Sequence, residues 1–103
     1  MKISKSSKKT ASGIVYTGEC LFNAFFIGTN GVNDPTITIY DGTDNTGDEI
    51  IPTNVYDASL LGLNSAVLKC PVKCWTGIYV EIDCAGAVEV VVHYLERQNW
   101  GSA

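Results

Sequence analysis

GIYVEIDCAGAVEVVVHY, residues 77–94, is the stretch on which the reading of the whole chain turns. Ile78, Val80 and Ile82 alternate with Tyr79, Glu81 and Asp83, the period of two that a half-buried strand requires. After Cys84-Ala85-Gly86 the alternation resumes, with Val88, Val90, Val92 and Tyr94 set against Glu89, Val91 and His93. Parity selects the loop between the two runs. A two-residue loop would oppose Ile82 to Glu89 and turn half the valines outward. A three-residue loop over Cys84–Gly86 pairs Ile82 with Val88 and Val80 with Val90, and gives Gly86 the left-handed position. The expected unit is therefore a β-hairpin with one apolar face. Its other face would carry Tyr79, Glu81, Glu89, Val91 and His93. There Glu81 would stand opposite Glu89, a mildly repulsive pair, beside the apolar area of Tyr79 and Val91. A face both repulsive and apolar is expected to be an interface, meeting a second copy of the chain or the basic N-terminus.

The remainder of the chain supports one domain. It has 103 residues, 46% of them hydrophobic and 17% charged, which is a core-forming composition. No apolar run reaches the ~20 residues of a membrane helix, so no membrane partner is expected. Four lysines (Lys2, Lys5, Lys8 and Lys9) lie in the first nine positions, and residues 1–11 read as a disordered or extended basic arm. The body keeps Lys69, Lys73 and Arg97 against all eleven acids, a net of −8. Such a body is a poor match for nucleic acid.

In chain order, Gly13–Thr17 and Glu19–Ile27 read as strands, although Leu21, Phe22, Phe25 and Phe26 also fit a helical stripe. Gly28–Pro35 is a loop, and Thr36–Tyr40 a strand with Ile37 and Ile39 inward. Asp41–Asp48 is a turn. Glu49–Val55 is a short strand that Pro52 confines to an edge or a bulge. Tyr56–Ser65 carries no clear pattern, Ala66–Leu68 begins another strand, and residues 97–103 form a polar tail. Six to eight short strands separated by Gly, Asn and Asp clusters predict an all-β, two-layer antiparallel β-sandwich over residues 12–96.

Motifs that carry chemistry are scarce. His93, the single histidine, stands on a valine-rich strand with no nucleophile signature nearby, so no catalytic residue is assigned and no enzyme is expected. No glycine loop leads into a helix to hold phosphate. Cys20, Cys70, Cys74 and Cys84 supply only one of the two knuckles of a zinc ribbon. An oxidised Cys74–Cys84 pair is conceivable, three pairings are open in all, and small buried hydrophobes are the preferred reading. With no apolar stretch behind the basic start, no secretory signal is read and the thiols are expected to be reduced. The loop DGTDNTGDE, residues 41–49, has oxygen ligands for calcium, but every residue in it is also a turn former. No metal or other cofactor is therefore assigned.

The run Ile37-Thr-Ile-Tyr-Asp-Gly followed by Gly47, then Pro71-Val72, Gly77-Ile-Tyr-Val-Glu-Ile and Val90-Val-Val-His-Tyr, resembles the small virion proteins of tailed bacteriophages. The likeness spans residues 13–96 and is structural, with no catalytic residue to transfer. The four cysteines depart from it. It implies a jelly-roll-like sandwich, acting as a capsid decoration or head-accessory protein. It further implies a homo-oligomer, a trimer by the resemblance, made in the host cytoplasm and carried on the virion. The major capsid protein or another virion protein would be its partner, gripped by the lysine arm or a sheet face. The alternative from residues alone is a carbohydrate- or receptor-binding module, with Tyr16, Tyr40, Tyr79, Trp75 and Trp100 as a stacking platform.

Overall fold

The computed structural model describes residues 4–59 and 65–97, the backbone alone for 65–70. It contains eight strands: β1 Lys5–Lys9, β2 Gly13–Thr17, β3 Cys20–Thr29, β4 Thr36–Asp41, β5 Asp48–Val55, β6 Ser65–Cys74, β7 Gly77–Asp83 and β8 Val88–Glu96. They form two antiparallel four-stranded sheets, β1-β8-β3-β6 and β2-β7-β4-β5, and no α-helix occurs among the described residues.

The pairing follows one rule. The outermost strands pair, β1 with β8, then β2 with β7, β3 with β6 and β4 with β5, and successive pairs alternate between the sheets. The chain behaves as one long hairpin folded at the Asp41–Asp48 turn and then rolled. Alternation along each strand sends one set of side chains inward. Phe22, Phe25, Val88, Val90, Val92 and Tyr94 of the first sheet meet Ile37, Ile39, Ile78 and Val80 of the second in one core. The packing is that of a β-sandwich-like, two-layer fold.

The expected β7–β8 hairpin does not form. β7 lies between β2 and β4 in one sheet, and β8 lies between β1 and β3 in the other. Val80 is opposite Ile39 and Gly13, and Val90 is opposite Ile27 and Lys9. Both valines are nonetheless fully buried, because alternation fixes which side a residue takes whatever its ladder partner. The three-residue loop is corrected with the hairpin. Residues 84–87 cross between sheets, and Gly86 does not adopt positive φ. A Cβ on Gly86 would instead run into the side chains of Asn30 and Asn33, so a close approach explains that glycine.

The helical-looking spacing of the phenylalanines has a strand explanation. A bulge at Asn23 places Phe22 and Ala24 opposite the consecutive residues Tyr94 and His93. The extra residue resets parity, so inward positions step from Cys20 and Phe22 to Phe25 and Ile27. Pro52 sits where expected, in edge strand β5 beside a register shift.

The basic arm is in part a strand. Lys5–Lys9 is β1, paired along β8 from Tyr94 to Val90, so the folded unit begins before residue 12. Two of its lysines are charge-matched to β8. Lys5 reaches Glu96 at 2.7 Å, which raises the Lys5 ammonium above its usual range, and Lys8 reaches Glu89 at 3.6 Å. An exposed strand edge studded with lysines also resists pairing with other chains.

Candidate functional site

Because β7 and β8 lie in different sheets, the five residues expected on one interface occupy two opposite outer faces. Tyr79 and Glu81 belong to the β2-β7-β4-β5 sheet. Glu89, Val91 and His93 belong to the β1-β8-β3-β6 sheet. Glu81 stands opposite Thr38 and Glu89 opposite Gly28, so the predicted like-charge pair is absent.

On the first of these faces the carboxylate of Glu81 accepts hydrogen bonds from the Tyr40 hydroxyl at 3.4 Å and from Asn45 Nδ2 at 3.0 Å. Burial, followed by the charge of Glu81, holds the Tyr40 phenol above its ordinary pKa. The Tyr40 and Tyr79 rings lie 6.3 Å apart, and Thr38 and Thr53 share a hydrogen bond of 2.7 Å. This face is a self-satisfied polar network.

The other face differs. Ladder parity puts Leu21, Ala24 and Phe26 of β3 on the same side as Val91, His93 and Leu95 of β8. The rings of His93 and Phe26 are 5.0 Å apart, so the single histidine packs on an aromatic side chain. Leu21, Phe26 and Val91 are half-buried, forming an apolar stripe flanked by the Lys8–Glu89 pair. Of the arm residues proposed to grip a partner, Lys5 and Lys8 are exposed and Lys9 is half-buried along Gly13. Lys2 lies outside the described residues.

The aromatic platform is dispersed. Tyr16 turns inward, its ring 5.3 Å from Tyr94 between the sheets, while Tyr40 and Tyr79 share the outer face described above. Trp75 is 66% exposed, but the Lys73 ammonium sits 3.6 Å from its ring centroid and already occupies one π-face. Trp100 lies outside the described residues.

The acidic turn is built from its own hydrogen bonds. Asp44 Oδ1 accepts from the Thr46 backbone N–H at 2.9 Å and its hydroxyl at 2.6 Å, which lowers the Asp44 pKa. The carboxylate of Asp41 accepts backbone N–H bonds from Trp75 and Thr76 at 2.9 Å and from Gly77 at 3.4 Å. It thereby clamps the two-residue crossover from β6 to β7. No group of three His, Cys, Asp or Glu side chains suited to a metal occurs among the described residues. The clamp had no signal in the sequence, since residues 41 and 75–77 meet only through tertiary folding.

The cysteines gave no sequence signal for their true neighbours either. Cys20 and Cys74 are directly opposite on β3 and β6, both fully buried. Cys84 is elsewhere, its thiol donating to the Asn33 carbonyl at 3.6 Å, so of the pairings left open Cys74 stands against Cys20 and not against Cys84. All three are free thiols, and the Cys70 side chain lies outside the description. No protein-family model, no curated protein and no solved structure matches this chain.

Proposed function

We propose that this chain is a non-enzymatic structural protein of a tailed-bacteriophage virion, a decoration or head-accessory protein that binds the capsid as a homo-oligomer. The observation that carries the reading is the strand order. Two four-stranded antiparallel sheets ordered β1-β8-β3-β6 and β2-β7-β4-β5 support a jelly roll, the double Greek key used by capsid proteins and by lectins. A fold serves many functions, so the choice among them rests on the sequence resemblance over residues 13–96. The dispersal of Tyr16, Tyr40, Tyr79 and Trp75 disfavours the lectin branch.

The surface we assign to contact is the outer stripe of Leu21, Phe26, Val91 and His93, with Lys8 beside it. Tyr79 and Glu81, engaged with Tyr40 and Asn45 on the opposite face, are left out. The test is to express an epitope-tagged copy during infection by the phage that carries the gene and to purify particles on a density gradient. Tag co-purifying in stoichiometric ratio to the major capsid protein is the expected result; particles without tag overturn the assignment. Sedimentation velocity at about tens of micromolar, a range in which weak contacts register, should show an oligomer that Phe26→Lys with Val91→Lys dissociates and Tyr79→Lys leaves intact. Binding on a glycan array in place of particle association would move the function to carbohydrate recognition.

A further inference from the structure

Cys20 is the first residue of β3 and Cys74 the last of β6, and the two are register partners on adjacent antiparallel strands. Directly opposed residues have Cβ atoms about 4.5–5.5 Å apart, and a disulfide needs about 3.5–4.5 Å, so a small adjustment closes the gap. Neither sulfur touches solvent. We propose that Cys20 and Cys74 are a redox modification site, forming a cross-strand disulfide that locks edge strand β6 to β3.

The neighbouring thiols are poor competitors. Cys84 is held by Asn33, and Cys70 is four residues from Cys74 in the same strand. Cys70 lies among residues 68–71, for which the β3–β6 ladder gives no partner, away from the paired position of Cys20. The facing Cys20 thiol and burial hold the Cys74 proton above the usual thiol range, so the closed pair is unreactive.

With a small-molecule disulfide such as oxidised glutathione, the step balances. The Cys20 thiolate attacks one sulfur of the reagent, its S–S bond breaks, and one glutathione thiol leaves. Cys74 then loses its proton and attacks the Cys20 sulfur, expelling the second glutathione thiol. The protein gives up two protons and two electrons, and the reagent takes them as two thiols.

Access requires opening, since both sulfurs are buried. β6 has one ladder neighbour, β3, and beyond Cys74 the chain is held by the Asp41 carboxylate on residues 75–77. Releasing that clamp should expose the pair, so Asp41 acts as a positioning residue that sets the oxidation rate.

The experiment refolds the full chain from denaturant in a glutathione redox buffer, alkylates the remaining thiols and maps peptides by mass spectrometry. The expected product has one bridge, between Cys20 and Cys74, with Cys70 and Cys84 alkylated. It is preserved in Cys84→Ser and lost in Cys74→Ala. The oxidised form should melt about 10 °C above the reduced form, the range for a native bridge in a chain of this size. Native Asp41→Asn should oxidise several-fold faster than wild type, while the mapped bridge stays the same. Four alkylated cysteines after refolding, or a bridge that includes Cys70 or Cys84, overturns the proposal without reliance on any variant. It stands independently of the virion assignment.

Discussion

Two short connections, Gly42–Gly47 and Cys84–Ala87, each join a pair of strands, and only the first closes a hairpin. Gly42–Gly47 joins β4 to β5, which share a ladder from Asp41–Asp48 to Thr36–Val55. Cys84–Ala87 joins β7 to β8, which share none. The difference lies in ladder capacity. A strand has two hydrogen-bonding edges. β7 spends both on β2 and β4, and β8 spends both on β1 and β3, so neither has an edge left for the other. β5 lies at a sheet edge and pairs only with β4. The glycines record the contrast. At Gly47 an added Cβ would strike the Asp41 backbone carbonyl, whereas at Gly86 it would strike only side-chain ends of Asn30 and Asn33.

That contrast gives the largest expected effect. Gly47→Ala must displace backbone on both sides of the turn and should cost about 3 kcal/mol, at the upper end of overpacking effects. Gly86→Ala needs only the asparagines to rotate and should cost about 1 kcal/mol. Denaturant melts of the two variants check the order, and a Gly86 variant worse than the Gly47 variant would mean that the crossover is as tightly built as the hairpin.

The next effect concerns what holds a crossover in place of a ladder. Asp41→Ala leaves three backbone N–H groups of residues 75–77 without their acceptor and should cost about 2 kcal/mol. Asp41→Asn keeps one acceptor oxygen and should fall between the two. Equal losses for both variants would show that charge, rather than the hydrogen bonds, holds the clamp.

A double-mutant cycle distinguishes hairpin from crossover directly. If β7 and β8 paired, Glu81→Lys would relieve repulsion at Glu89 and the two sites would couple. With Glu81 opposite Thr38 and Glu89 bound to Lys8, the coupling between Glu81→Lys and Glu89→Lys should be within about 0.5 kcal/mol of zero. A clear coupling would restore the hairpin.

The smallest effect is a titration inside the hairpin turn. Hydrogen bonds from Thr46 depress the Asp44 pKa below its ordinary value of about 4. A depressed folded-state pKa contributes stability above the unfolded value, and that contribution is lost as pH falls through the folded one. The Asp44 carboxyl resonance should therefore titrate below the usual aspartate midpoint, and Thr46→Ala, which removes the hydroxyl but keeps the backbone N–H, should return it part of the way. An unchanged midpoint in the variant would sever the link.

Much of the architecture was legible because it depends on local chemistry. The turn-forming loop at residues 41–49, the edge placement of Pro52 and the inward set Ile37, Ile39, Val80 and Val90 all follow from alternation and backbone preference. The bulge at Asn23 hid behind a spacing that also suits a helix. The candidate contact face was only half legible. Val91 and His93 were placed outward, but their companions Leu21 and Phe26 come from β3, a strand far away in sequence.

By itself, then, the sequence determined an all-β fold, the inward residues of β4, β7 and β8, and where the chain turns. It did so because side-chain alternation and Gly, Asn and Pro geometry act within a few residues. Tertiary structure alone decided which strands share a ladder, and with that the split of Glu81 from Glu89, the meeting of Cys20 with Cys74 and the reach of Asp41 to residues 75–77. Period-two patterning specifies a side but carries no partner. The partner is settled only when both edges of every interior strand must be satisfied at once around a single core.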